Sequence, residues 1–452
     1  MGNSFRPENF ISSFEVHFKA PARICRFTSL LEALRCSDVV FTTNTSVRIG
    51  AMIRNPARTV GELAMLAVAK RYSGIRSLTR PATDSTPEFE LTYIRTGQPS
   101  QLPPVLIIPG GPGLSSVLPY GRLRGLASQA GIDLIMIEHR GVGLSRRDHS
   151  GKELPASAMR VRSVVEDIVA VLDQEHVMRA TIVGSSYGSY IASSFGTAHP
   201  DRVSAMLLDS ALQSSDHLET ERKAVRETLW NRDCKSTQLT RQLASKGVEQ
   251  RVLLDVARAA FELGGDRLLE PLLRMRLKNP RSLAWKTLEA YSTRDASISR
   301  IPGVYEFDLV GVIGFRELGY GAPLDGLPLD PALTYSQLAD RFPPFAGEPF
   351  DLLSSAKEFH WPLLLLSGSR DLRTPSEIAS AMAHAAPNAA LAMIENGHSA
   401  LDTHPLALLN ALRWLAAGKH HQVPTITHKL NNLPKRGLAA RFPQLLQLLV
   451  SD

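Results

Sequence analysis

The stretch 181-TIVGSSYGSY-190 sets Ser186 between Gly184 and Gly188. Ser185 would need glycines at positions held by Val183 and Tyr187, so Ser186 is the serine that fits G-x-S-x-G. Two glycines let a strand and a helix approach closely while the residue between them takes a strained conformation. The hydroxyl then stands at a helix N-terminus, which favours developing negative charge. A serine needs a base within hydrogen-bond reach, and the base needs an orienting acid. Asp371 follows the apolar run 362-PLLLLSGSRD-371, and His398 follows 390-ALAMIENGH-398. In this arrangement His398 takes the Ser186 proton and returns it to a leaving group, while Asp371 holds the imidazole tautomer. Asp209, at the end of 203-VSAMLLDSA-211, is a second candidate for the acid.

Acyl transfer also needs donors for an oxyanion. The run 109-PGGPG-113 offers Gly111 as the first candidate, with the N–H of Tyr187 as its partner; Pro112 has no N–H to give. Of the 13 histidines, His420, His421 and His428 read as surface residues of the C-terminal tail, and His404, before Pro405, as a residue near a helix start.

These residues must be positioned by strands and helices, and the chain supplies both. Strands are expected at 88–97, 104–111, 133–141, 181–188, 203–211, 361–371 and 389–395. Helices are expected at 57–72, 160–176, 189–200, 376–386, 404–417 and 439–450. Short unalternated apolar runs separated by helices indicate a mostly parallel sheet covered on both faces. Between about 212 and 355 the rhythm stops. That region is charged and helical, then rich in Pro and Gly. The expected organisation is a basic N-terminal extension (1–80), an α/β core in two parts (81–211 and 356–418), a mainly helical cap inserted at 212–355, and a C-terminal tail (419–452). The leucines of the tail helix suit packing on the body or on another subunit.

At 44% hydrophobic and 21% charged residues, the composition is that of a soluble globular protein. No apolar run approaches the ~20 residues of a membrane helix, and the N-terminus lacks the apolar core of a secretory signal. Cys25, Cys36 and Cys234 are too few and too scattered for a disulfide framework or a zinc site, so a reducing cytoplasm is expected. No metal or organic cofactor is implied. The net charge of +7 resides in residues 1–80, with 12 Lys/Arg against 5 Asp/Glu. Such an arm can touch nucleic acid or an acidic surface, or be a solvated extension; no nucleic-acid motif accompanies it, and neither nucleic acid nor membrane is an expected partner.

Taken together, 109-PGGPG-113, 137-IEHRGVGLS-145, 184-GSSYGS-189, 368-GSRDLRTP-375 and 397-GH-398 resemble the proline iminopeptidase and tripeptidyl aminopeptidase branch of the α/β-hydrolases. The resemblance covers about residues 88–211 and 355–417. It implies the α/β-hydrolase fold, Ser186, Asp371 and His398 as a triad, Gly111 and Tyr187 as oxyanion donors, and a cap that recognises a substrate N-terminus. Two departures stand out: Glu138-His139 where the branch has Asp-Gln, and Pro109 where iminopeptidases often have His. Glu138 could still anchor its loop through the carboxylate, and His139 reads as structural. A cap that binds a substrate ammonium needs inward-facing acids; Glu306, Asp308 and Glu317 are the candidates. The expected activity is an aminopeptidase acting on short peptides. The alternatives are an esterase or amidase on a non-peptide substrate, and a catalytically silent binding protein. A serine at position 186, rather than an aspartate, excludes dehalogenase or epoxide hydrolase chemistry by its mechanism.

Overall fold

The computed structural model describes residues 56–292, 300–435 and 438–450. The expectations for the arm at residues 1–55, including Cys25 and Cys36, lie outside the described residues. Eight strands form the central sheet: β1 (Ile75–Arg80), β2 (Phe89–Thr96), β3 (Val105–Ile108), β4 (Leu134–Ile137), β5 (Ala180–Ser185), β6 (Val203–Asp209) and, after a long insertion, β9 (Leu363–Gly368) and β10 (Ala389–Ile394). The insertion carries its own ribbon, β7 (Arg300–Ile301) and β8 (Tyr305–Glu306). The sheet order is β1-β2-β4-β3-β5-β6-β9-β10. β2 is antiparallel to both neighbours, and β4 through β10 run parallel.

The apolar runs explain this layout. β5 and β9 are buried at every position, as strands covered on both faces must be. The covering comes from helices such as α3 (Val161–Gln174), which follows α1 (Pro56–Ala69) and α2 (Gly121–Gln129), and α4 (Tyr187–Ala198), which leaves the end of β5. Val164, Ile168 and Val171 of α3 and Ile191 and Phe195 of α4 join Ile182, Leu208 and Leu365 of the sheet in one core.

The sequence pattern missed β1 and α2. β1 falls inside the segment read as an extension ending at residue 80, and the sheet therefore begins at Ile75. Its side chains are only half buried or exposed, and Arg76 pairs with Glu175 across the edge. An edge strand with one partner and a row of polar residues gives little apolar signal.

Between β6 and β9 lie α5 (His217–Arg226), α6 (Lys235–Ser245), α7 (Gln250–Gly264), α8 (Asp266–Lys278), α9 (Leu283–Ser292) and α10 (Phe307–Leu318). Five of them, α5 to α9, pack around a separate apolar cluster that includes Leu253, Leu269 and Trp285. Two of its buried members come from outside the insertion: Leu372, from the loop after β9, and Leu446, from the tail. After α11 (Ser376–Ala385) and α12 (Pro405–Ala416) the chain ends in α13 (Leu438–Val450). Its Leu446 is fully buried, and its Phe442 ring lies 4.9 Å from that of Tyr291 on α9. The tail helix thus packs on the insertion of its own chain.

His420 corrects the surface reading of the tail histidines. It is 3% exposed, and its Nε2 lies 3.0 Å from Asn388 Oδ1. The turn His420–Ile426 folds back against β10, so local polarity gave no warning of burial. None of the described helices is long and apolar enough to cross a membrane.

Candidate active site

The carboxyl ends of β3, β5, β6, β9 and β10 meet at one edge of the sheet, where α/β sheets place their ligand crevices. Ser186 follows β5 directly. Its φ of +52° is a left-handed conformation in a non-glycine residue, a strain of about 1–3 kcal/mol that the surroundings must hold. The flanking glycines make that possible by contact. A Cβ on Gly184 would lie 2.2 Å from Gly188 O, and one on Gly188 would lie 2.1 Å from Ile108 O. Within 181–190 every residue is buried except Ser186, which stays partly exposed.

His398 Nε2 lies 2.9 Å from Ser186 Oγ. On the other side of the ring, Nδ1 lies 3.1 and 3.0 Å from the two Asp371 carboxylate oxygens. Nδ1–H therefore donates to Asp371, which leaves Nε2 free to accept the serine proton. Asp371 is fixed from within its own loop: it accepts the N–H groups of Arg373 and Thr374 at 3.0 Å each and the Thr374 hydroxyl at 2.8 Å. Burial pushes its carboxyl upward, but the His398 charge and these hydrogen bonds outweigh burial and hold it at about 2. Burial alone would lower the His398 pKa; the adjacent Asp371 carboxylate overcomes this and raises it above its ordinary 6.5.

Asp209, the alternative acid, has another task. Its carboxylate accepts the N–H groups of Ala400 and Leu401 at 2.9 Å each and the Ser185 hydroxyl at 2.8 Å. It thereby ties the segment after His398 to the strand that carries Ser186. Burial raises its pKa to about 6, against the pull of those hydrogen bonds.

The 109–117 loop passes beside the serine. A Cβ on Gly110 would lie 3.3 Å from Ser186 Cβ. Gly111 follows at φ +124°, and Tyr187 is the first residue of α4. Glu138 anchors this loop, accepting Ser115 Oγ at 2.9 Å and the N–H groups of Ser116 and Val117 at 2.7 and 3.1 Å. Burial raises the Glu138 pKa to about 7. The insertion grips the same loop from the other side: Ser115 N donates to Val304 O at 3.0 Å, and Glu306 N to Gly113 O at 2.9 Å. His139 is structural. Its Nδ1 faces the Arg140 carbonyl, so its Nε2 accepts from Tyr187 Oη at 3.0 Å. Burial lowers its pKa to about 4, which keeps it neutral.

The candidates for a substrate ammonium are each paired with arginines of the same chain. Glu306 is 1% exposed; its carboxylate lies 3.6 Å from Arg146 and 3.2 Å from Arg300 and also accepts Gly143 N–H. Asp308 pairs with Arg146 at 2.7 Å. Glu317 accepts Val161 N–H at 2.8 Å and pairs with Arg316 at 3.2 Å. Arg146, Arg300 and Arg316 thus pair with these acids, and no motif marks in advance which acids the arginines would claim.

Two acids that the sequence pattern did not single out adjoin the Asp371 loop. Glu262 of α7 pairs with Arg373 at 3.4 Å. Glu221 of α5 pairs with Arg258 at 3.0 Å; its pKa rises to about 7 through burial, with Arg373, Glu262 and Asp371 all acting on it. Their neighbours in sequence carry no motif, so only the folded insertion reveals them.

The family model described as the α/β hydrolase fold matches residues 103–282. Epoxide hydrolase B of Mycobacterium tuberculosis is 33% identical over 17% of this chain, and that match spans 20% of its own length. Proline iminopeptidase of Neisseria meningitidis serogroup B is 21% identical over 69% of this chain and 88% of its own. Among solved structures, esterase RhEst1 from a Rhodococcus species is 17% identical, with a TM-score of 0.44 over 76% of this chain and 98% of its own. Sheet order, the serine turn after β5 and the family model agree: the chain has the α/β-hydrolase fold.

Proposed function

We propose that this chain is a serine hydrolase that removes N-terminal residues from short peptides through an acyl-enzyme, with residues 212–355 acting as the cap that selects the substrate. The observation that carries the reading is the 2.9 Å contact of Ser186 Oγ with His398 Nε2, backed by Asp371 at 3.0 Å. Ser186 Oγ attacks the carbonyl carbon as His398 takes its proton. The tetrahedral oxyanion is received by backbone N–H groups, with Gly111 and Tyr187 as the proposed donors. His398 then protonates the leaving amine, and water repeats the sequence on the ester. Peptide specificity rests on the five-motif resemblance and on the similarity to a proline iminopeptidase.

A second reading, an esterase or amidase without need of a free amine, is favoured by one observation: Glu306, Asp308 and Glu317 are already paired with arginines. Hydrolysis of proline 4-nitroanilide, its N-acetylated form and 4-nitrophenyl butyrate separates the two. Turnover of the free-amine substrate alone supports the peptidase, and turnover of the ester alone moves the substrate class. No activity on any of them, together with no labelling of Ser186 by a fluorophosphonate, would sink both.

A further inference from the structure

The loops bearing Asp371 and His398 lean on one residue of the cap. Glu262 lies near the end of α7 and is 8% exposed. One carboxylate oxygen faces the N–H of Leu372 at 3.3 Å, and the other faces Arg373 Nε at 3.4 Å. Its backbone carbonyl faces Arg370 Nε at 3.4 Å. Glu262 therefore touches both residues that flank Asp371, Arg370 and Leu372, and Arg373 besides. It also meets the base loop: a Cβ on Gly397 would lie 2.6 Å from Glu262 O and 2.8 Å from Glu262 Cβ. Leu372, between Asp371 and Arg373, is 4% exposed and belongs to the apolar cluster of the cap. The acid loop is thus pinned to the cap by a buried leucine and a buried carboxylate.

Resting on the serine hydrolase reading, we infer that Glu262 is a positioning residue: its carboxylate holds the Asp371 loop while its backbone and Cβ abut the His398 loop at Gly397, which keeps the two loops in mutual register. The cap is then part of the triad's support rather than a lid laid over a finished site. Small displacements of a base or its orienting acid have large kinetic consequences, because transfer requires a hydrogen bond already in place. The charged groups facing Glu262 are Arg370, Arg373, Asp371 and His398 from the core and Glu221 from α5. Its charge also adds to the upward pull on the His398 pKa.

The test is the rate at which a small fluorophosphonate inactivates wild type, Glu262→Gln and Glu262→Ala as a function of pH, with KM for proline 4-nitroanilide measured beside it. The reagent needs no recognition by the cap, so it reads the triad alone. Glu262→Ala is expected to slow inactivation about tenfold or more. Glu262→Gln keeps an acceptor for the Leu372 N–H and should recover most of the rate. Its acid limb should move to lower pH, because a negative charge near His398 is gone. Inactivation of Glu262→Ala at the wild-type rate, with an unmoved limb, overturns the inference; a rise confined to KM for free-amine substrates overturns it in favour of substrate binding. If Glu262→Ala fails to fold, Arg373→Ala, which removes the other half of the Glu262 ion pair, decides by its inactivation rate at the pH optimum, and a wild-type rate refutes positioning. A wild type that resists the reagent refutes the serine hydrolase reading first, and this inference with it.

Discussion

The serine turn and the acid–base loops are held by different parts of the molecule. Ser186 is fixed from within the sheet: Gly184, Gly188 and the backbone of Ile108 and Pro109 meet at distances that leave no room for a Cβ, and Ser186 N donates to Asp209 O at 2.9 Å. Asp371 and His398 stand on loops that touch the insertion through Leu372, Arg373 and Gly397. Asp209 is the bridge, since it holds Ser185 on one side and Ala400 and Leu401 on the other. The Ser186 turn is therefore held from within the sheet, whereas the loops of Asp371 and His398, though Asp371 is also held within its own loop, add contacts to the insertion.

Replacement of single groups tests this contrast. Ser186→Ala should lose about 10⁵–10⁶-fold in hydrolysis, read from kcat, while leaving the thermal midpoint close to wild type, because the sheet around it is unchanged. Asp371→Asn should lose about 10⁴-fold through the wrong imidazole tautomer. In wild type the active form has neutral His398, so the rate should fall as pH drops through a pKa above 6.5; in Asp371→Asn that limb should move downward, as a pH–rate profile would show.

Gly188→Ala and Leu372→Ala probe the two supports directly. The first puts a methyl group against backbone oxygens that cannot move aside and should cost about 3 kcal/mol or more together with fluorophosphonate labelling. The second empties a buried site shared by loop and cap and should cost about 2–4 kcal/mol by denaturant titration. A Leu372→Ala protein with intact labelling kinetics would show that the acid loop does not depend on the cap.

Glu138→Gln should change the pH dependence of stability more than activity. Glu138 titrates at about 7 folded against 4.5 for a free carboxyl, so the folded state holds its proton longer than the unfolded one. Its contribution is therefore present below about 4.5 and declines as pH rises toward 7. Replacement by glutamine should remove that slope from thermal midpoints measured across the window. The smallest effect is expected for Glu317→Gln: about 1–2 kcal/mol of stability from weakened buried hydrogen bonds, with KM for a free-amine substrate unchanged. A large rise in KM would restore Glu317 as a substrate contact.

Much of this architecture is written in local residue order. Apolar runs such as 363-LLLL-366 leave few alternatives to a buried strand, and the glycines around Ser186 announce their turn because close backbone approach has one chemical solution. The triad could be paired in advance because each member follows such a run. Features without a periodic signal were settled by long-range packing. β1 is a polar edge strand whose partner is found across a turn. His420 is buried by the fold of the tail. The acids of the insertion are alike in sequence and all five pair with arginines, yet only Glu221 and Glu262 do so beside Asp371, with Arg258 and Arg373, while Glu306, Asp308 and Glu317 pair with Arg300, Arg146 and Arg316. The Gly184–Gly188 contact acts within one short turn and leaves a mark on the sequence. The pairing of Glu262 with Arg373 spans 111 positions and is fixed only when the chain has folded.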